Sequence, residues 1–189
     1  MSAEDQPAAI LHLQKCMIRP YYVGDAEASA KEANNPKIAQ FMRNTFPSPY
    51  EVKDALWWIN LATSASPMRD FAICDPETGV LIGGIGLKAR DDIQARTMEV
   101  GYWLGESHWG RGVATEALSA FAKWAFESFP QAVRLEAEVF SNNKGSARVL
   151  EKTGFVFEGR KRNAVEKNGQ LLDVLVYGAL REELELGIK

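Results

Sequence analysis

Histidine and cysteine are scarce, with two of each in 189 residues. His12 and His108 share no metal-ligand spacing with each other or with the cysteines, so no metal centre is expected. Cys16 and Cys74 lie in apolar stretches that read as strands. They do not make a disulfide framework and point instead to a reducing, cytoplasmic setting. An excess of positive charge is missing too. Twenty-two Lys and Arg against 25 Asp and Glu leave a net charge of −3, which argues against a nucleic-acid partner and its broad basic field. Apolar runs are short: residues 174–180 fall well below the ~20 residues of a membrane-spanning helix. The acidic, polar residues 1–6 do not read as a signal peptide. Residues 1–12 are expected to form a flexible leader, and, with no repeat or linker beyond them, residues 13–185 a single domain.

What is present is a change of period along the chain. Residues 14–20 predict a strand, and Gly24-Asp25-Ala26 starts a helix with Asp25 as its N-cap. A second helix is expected over residues 36–42. Pro47 and Pro49 then enforce a stiff, aromatic loop over residues 44–50. Helix resumes over 50–62, with Ala55, Trp58, Ile59 and Ala62 on one face. Residues 70–74, 81–87 and 97–104 read as strands, and the charged residues 88–96 as a solvated connection. A helix is expected over 114–129, a strand over 133–140, and a short helix over 146–153 stopped by Gly154. Residues 155–162 and 171–180 form a closing hairpin around Asn168-Gly169. This order predicts a mixed α/β fold, an α+β sheet antiparallel at first with crossover helices later.

The strand ending at Leu104 runs into His108-Trp109-Gly110-Arg111-Gly112-Val113-Ala114-Thr115-Glu116, a glycine-rich loop that opens a helix. Such a junction binds phosphates through backbone. The first helical turn leaves about four N–H groups unpaired, and the helix dipole adds roughly half a positive charge there. Gly110 and Gly112 let a pyrophosphate approach the main chain closely, and Arg111 adds a charge-assisted contact. A Walker A loop is absent. Gly84-Ile85-Gly86-Leu87-Lys88-Ala89 spaces its glycines like a dinucleotide fingerprint, but no amphipathic helix follows it. The loop at 110–115 is a loose dinucleotide match that lacks the acidic residue on a following strand.

The stretch Trp109 to Ala117 resembles the acetyl-CoA pyrophosphate loop of the GNAT (GCN5-related) N-acetyltransferases, and most closely their RimJ/RimL-like branch. Gly112 and Ala114 match that loop's Gly-x-Gly/Ala, while Trp109 stands where Gln or Arg is usual. Asn143-Lys144-Gly145-Ser146 and Glu151-Lys152-Thr153-Gly154-Phe155 resemble the branch's Asn-x-x-Ser and Glu-Lys-x-Gly-Phe. Ile18-Arg19-Pro20 with Gly24-Asp25-Ala26, and the stretch Leu81 to Leu87, extend the likeness over residues 14–182. The resemblance implies the GNAT acyl-CoA N-acyltransferase fold, a mostly antiparallel central sheet with a splayed parallel pair, here residues 97–104 and 133–140, flanked by helices. It implies acetyl-CoA as co-substrate, its pyrophosphate held by backbone amides from Gly110 and Arg111 through Gly112, Val113, Ala114 and Thr115. The strand end at Trp103 and Leu104 would pair with the pantetheine, and Asn143 and Ser146 would contact the pantetheine arm. Asn143 as a simple helix cap is compatible with that role.

Glu99, acidic within an apolar strand, is the candidate general base, because a carboxylate placed there is costly unless paired or functional. The competing reading has it facing solvent or paired with an arginine. Demand on a base depends on the acceptor: at pH 7 a lysine amine is roughly 0.04% neutral, an α-amine roughly 10–20%. Leu150 occupies the position where many GNAT enzymes carry the tyrosine that protonates the departing thiolate, and leucine has no proton to give. Phe46 to Tyr50, with Trp57 and Trp58, are expected to shape the acceptor site; the competing reading makes these aromatics helix-packing core and is the stronger one for Trp58. His108 is read as a loop residue. The leading function is acetyl transfer from acetyl-CoA to a primary amine, on a protein N-terminus or a small molecule, by direct attack without a covalent intermediate. The alternatives are a non-catalytic acyl-CoA sensor and a subunit of a larger acetyltransferase. No membrane partner is expected, and the chain is read as a monomer or homodimer.

Overall fold

The computed structural model describes residues 6–186. Eight strands and six helices follow in the order β1 (Leu11–His12), β2 (Met17–Pro20), α1 (Ala26–Ala33), α2 (Pro36–Ala39), α3 (Val52–Ser64), β3 (Asp70–Cys74), β4 (Leu81–Ala89), β5 (Thr97–Leu104), α4 (Val113–Ser128), β6 (Arg134–Phe140), α5 (Lys144–Lys152), β7 (Val156–Lys167), β8 (Gln170–Leu180) and α6 (Arg181–Leu186). They fall into two compact units. One comprises the chain up to Gly86 together with Tyr102–Ala117, the other Leu87–Gly101 together with the chain from Leu118.

In the first unit the strands run β1-β2-β3-β4, each antiparallel to the next. Leu11–His12, inside the stretch expected as a leader, pairs with Met17 and Ile18 to make β1; residues 1–5 lie outside the described residues. The Ala-rich α1 buries Ala26, Ser29, Ala30 and Ala33, and α3 buries Ala55, Ile59 and Ala62, both with helical spacing. These join Tyr21, Tyr50, Ala72, Cys74 and Leu81 in one apolar cluster, with Phe46, Trp58 and Trp103 packed at its margin. Asp25 holds the expected N-cap position of α1 but caps with no side-chain bond. Its carboxylate takes both Arg19 guanidinium nitrogens, at 2.8 and 2.7 Å, and the Tyr22 N–H. The pair is buried, and a bidentate partner is what makes a buried charge tolerable. Both cysteines are free and buried, and burial pushes each thiol up to about 12.

In the second unit the strands run β5-β6-β8-β7, with β5 and β6 parallel and the rest antiparallel. The fold is therefore mixed α/β with one parallel pair. Asn168 and Gly169 both take positive φ, 51° and 74°, as a two-residue hairpin turn demands. Gly154, at φ 89°, ends α5, where the Phe155 N–H reaches back to the Leu150 carbonyl. The hairpin strands are longer than expected. β4 also continues through Lys88 and Ala89, which the charge pattern assigned to a connection. The short helix expected to start at residue 146 starts at Lys144, and α6 follows β8 directly where no helix was expected.

Candidate active site

The loop between β5 and α4 lies in the first unit with Trp103 and Leu104. Gly110 and Gly112 both hold left-handed backbone, at φ 73° and 81°, a region costly for residues with a Cβ. Those two turns deliver the chain into α4, whose first backbone bond runs from the Glu116 N–H to the Gly112 carbonyl. The amides of Val113, Ala114 and Thr115 precede that bond and sit at the positive end of a 16-residue helix. Gly110 has open space where a Cβ would stand. The site residues expected at Gly110 to Thr115 thus form one continuous backbone feature.

Two contacts escaped the sequence reading. Lys15, in the β1–β2 turn, donates its ammonium to the Arg111 carbonyl at 2.9 Å and its backbone N–H to the Glu116 carboxylate at 2.7 Å. Its Nζ stands 2.8 Å from where a Gly112 Cβ would be, so a fixed cation borders the loop. No local signal reveals it, because 96 residues separate the partners. Trp109, where the family's usual residue is Gln or Arg, donates its indole N–H to the Leu104 carbonyl at 2.8 Å. That bond staples the loop to the strand end and occupies one lone pair of a carbonyl expected to face the pantetheine. Leu104 itself is buried, and the Gly105 N–H pairs with Ile82.

Glu99, Asn143 and Ser146 belong to the second unit. The parallel register pairs Thr97 with Arg134, Met98 with Leu135 and Glu99 with Glu136. This parallel register covers three residues of each strand. Two carboxylates side by side repel one another, and Arg90 resolves this by reaching Glu99 at 3.2 Å and Glu136 at 3.1 Å. Arg134 continues the network to Glu136 at 2.9 Å and Glu158 at 2.5 Å. Hydrogen bonds donated to Glu158 hold the Arg134 guanidinium above its ordinary value, and Arg134 in turn lowers the Glu158 carboxyl. Gly178 keeps this arrangement possible, since a Cβ there would fall 2.3 Å from Arg134 Nη1. Glu99 thus has the arginine partner foreseen by the competing reading.

Asn143 caps α5, its side-chain oxygen accepting the Ser146 N–H at 3.1 Å. Leu150 is wholly buried. His108 ends a short 3-10 turn from Glu106 that leads into the loop. Among the described residues no group of His, Cys, Asp and Glu is disposed to hold a metal ion, and no helix is long and apolar enough to cross a membrane.

Residues 15–156 match the family described as acetyltransferase (GNAT) domain. An uncharacterized N-acetyltransferase, p20 of Bacillus licheniformis, is 29% identical over 174 residues, covering 92% of this chain and 97% of its own. The ribosomal-protein-serine acetyltransferase of Escherichia coli is 32% identical over 103 residues, 53% of this chain and 55% of its own. Among solved structures, Mycobacterium smegmatis RimJ in complex with CoA-disulfide superposes with a TM-score of 0.78 at 26% identity, covering 89% of this chain and 83% of that one. With three-quarters of its length inside the matched domain, the chain belongs to the GNAT acetyltransferase family.

Proposed function

We propose that this chain transfers the acetyl group of acetyl-CoA to a primary amine, by direct attack of the neutral amine on the thioester. The observation that carries the reading is the pair of left-handed glycines, Gly110 and Gly112, opening the N-terminus of α4. The amides from Gly110 and Arg111 through Gly112, Val113, Ala114 and Thr115 receive the pyrophosphate. The strand end at Trp103 and Leu104 lies along the pantetheine, and Asn143 and Ser146 contact its arm. Glu99 serves as general base, sharing Arg90 with Glu136. No metal takes part. The CoA-disulfide named with the RimJ relative supports coenzyme A as the cofactor.

The acceptor we favour is an α-amine, because the roughly 10–20% already neutral at pH 7 asks little of a base that an arginine also engages. The name of the E. coli relative, a ribosomal-protein-serine acetyltransferase, supports a protein N-terminus. With Leu150 buried and unable to donate, the thiolate leaves unprotonated or takes a proton from water, tolerable for a thiol pKa of about 8.5. The test is free-thiol release from acetyl-CoA across small amines and peptides with free or blocked N-termini. Acceptor-dependent release that falls at least tenfold in Glu99→Gln, with CoA affinity unchanged, is expected. CoA binding without release for any acceptor would contradict the enzyme reading and leave a sensor.

A further inference from the structure

On β4 two glycines, Gly84 and Gly86, fall on one face of the strand, a pattern that sacrifices packing and β propensity together. Polar atoms explain them. A Cβ on Gly86 would stand 2.0 Å from Asp70 Oδ1, and one on Gly84 would stand 2.3 Å from the Tyr21 hydroxyl and 2.8 Å from the Trp103 indole nitrogen. Register places Asp70 opposite Gly86 and Ala72 opposite Gly84, so these groups share one face of the sheet. The Tyr21 hydroxyl accepts a hydrogen bond from the Trp58 indole on α3. Phe46 meets the Trp103 ring edge-on at 6.2 Å and lies 4.8 Å from the Tyr50 ring. Phe46, Trp58 and Trp103 are only partly buried, so the rings border accessible space.

Asp70 is the anomaly in this setting. Burial holds its carboxyl up at about 6 against the opposing pull of Arg69. Among the described residues no side-chain hydrogen bond or ion pair satisfies it. A half-buried carboxylate on a sheet face shared with the Tyr21 hydroxyl and the Trp103 indole calls for a cation, and indole and phenyl faces attract the same charge. Trp103 belongs to this cluster through its side chain and to the proposed pantetheine strand through its backbone. We propose that Asp70, with the Tyr21 hydroxyl and the rings of Trp58 and Trp103, is the subsite that receives the cationic amino group of the acceptor. The inference rests on the acetyltransferase reading for what happens to that amine, but not for its binding.

The test uses the full chain with benzylamine and its neutral isostere benzyl alcohol, followed by titration calorimetry and by the indole N–H resonances of 15N-labelled protein. At pH 7.5 benzylamine binds about tenfold more tightly or better, and moves the Trp58 and Trp103 indole signals. That preference disappears in Asp70→Asn, and in Gly86→Ala, whose new Cβ displaces the carboxylate. It also collapses in the wild-type protein as pH falls through about 6. Arg69 and Tyr21 are the other titratable groups facing Asp70, and neither changes charge in that range. Equal affinity for the two probes, binding of neither, or a preference that survives Asp70→Asn overturns the proposal. Stabilisation by CoA, measured alongside, keeps the two readings apart. Its loss with the amine preference intact would sink the cofactor assignment alone.

Discussion

Gly112 concentrates two demands in one residue, a left-handed backbone and closeness to Lys15. Its φ of 81° is costly for alanine, and a Cβ would press within 2.8 Å of the Lys15 ammonium. Gly112→Ala is therefore expected to cost about 1–2 kcal/mol in stability and at least tenfold in CoA affinity, read by melting temperature with and without CoA. An unchanged CoA shift would mean that the loop is merely structural. Asp70 makes a prediction of opposite sign to the usual carboxylate. Its folded form holds the proton more tightly than an unfolded aspartate would. Its contribution to stability is thus greatest at low pH and declines as pH rises from about 4 to about 6. After allowance for its partial exposure the loss is about 1–2 kcal/mol; Asp70→Asn should lack that slope, which then appears in the wild-type-minus-variant curve. Arg19 and Asp25 behave differently: Asp25→Ala strands a buried guanidinium and is expected to cost about 3–5 kcal/mol by denaturant melts. Of these residues the sequence revealed the glycines, whose spacing has a backbone meaning. Lys15 and Asp70 it hid, because the groups around them come from distant parts of the chain.

Elements carried their own signatures to differing degrees. The Asn168-Gly169 turn, the Gly154 stop and the helical spacing along α1, α3 and α4 are local devices, and each was legible. The boundaries that slipped depend on pairing. β4 extends through Lys88 and Ala89 although both are exposed, since a ladder can continue where side chains give no reason to expect it. The Asp25 carboxylate looked like a cap because caps are local; Arg19, six residues earlier on a strand, claims it instead. α6 opens with Arg181, whose guanidinium donates to the Phe129, Pro130 and Ala132 carbonyls just past α4 and lies 4.9 Å over the Phe126 ring. It takes up carbonyls a helix end leaves unpaired. Arg181→Ala is expected to lower stability by about 1–2 kcal/mol in the same melts. Losses within a few tenths would show that water replaces it.

At the scale of the molecule, family membership follows from the matched domain and the GNAT chemistry from one loop. The loop's left-handed turns were legible because Gly110 and Gly112 leave a glycine pattern. Glu99 was legible as a charge out of place, while its neighbour Glu136 and the Arg90 that spans them emerge only from the parallel pairing of β5 and β6. The proposed acceptor subsite was the least legible, since Tyr21, Trp58, Asp70 and Trp103 come from four separate stretches of the chain. The most direct check of the central claim is the melting temperature of the wild-type chain titrated with CoA, with adenosine as the control. Saturation at 100 times the Kd is expected to add ~2.7 kcal/mol, with no comparable effect from adenosine, which lacks the pyrophosphate. A melting temperature that CoA leaves unmoved would contradict the account at its root.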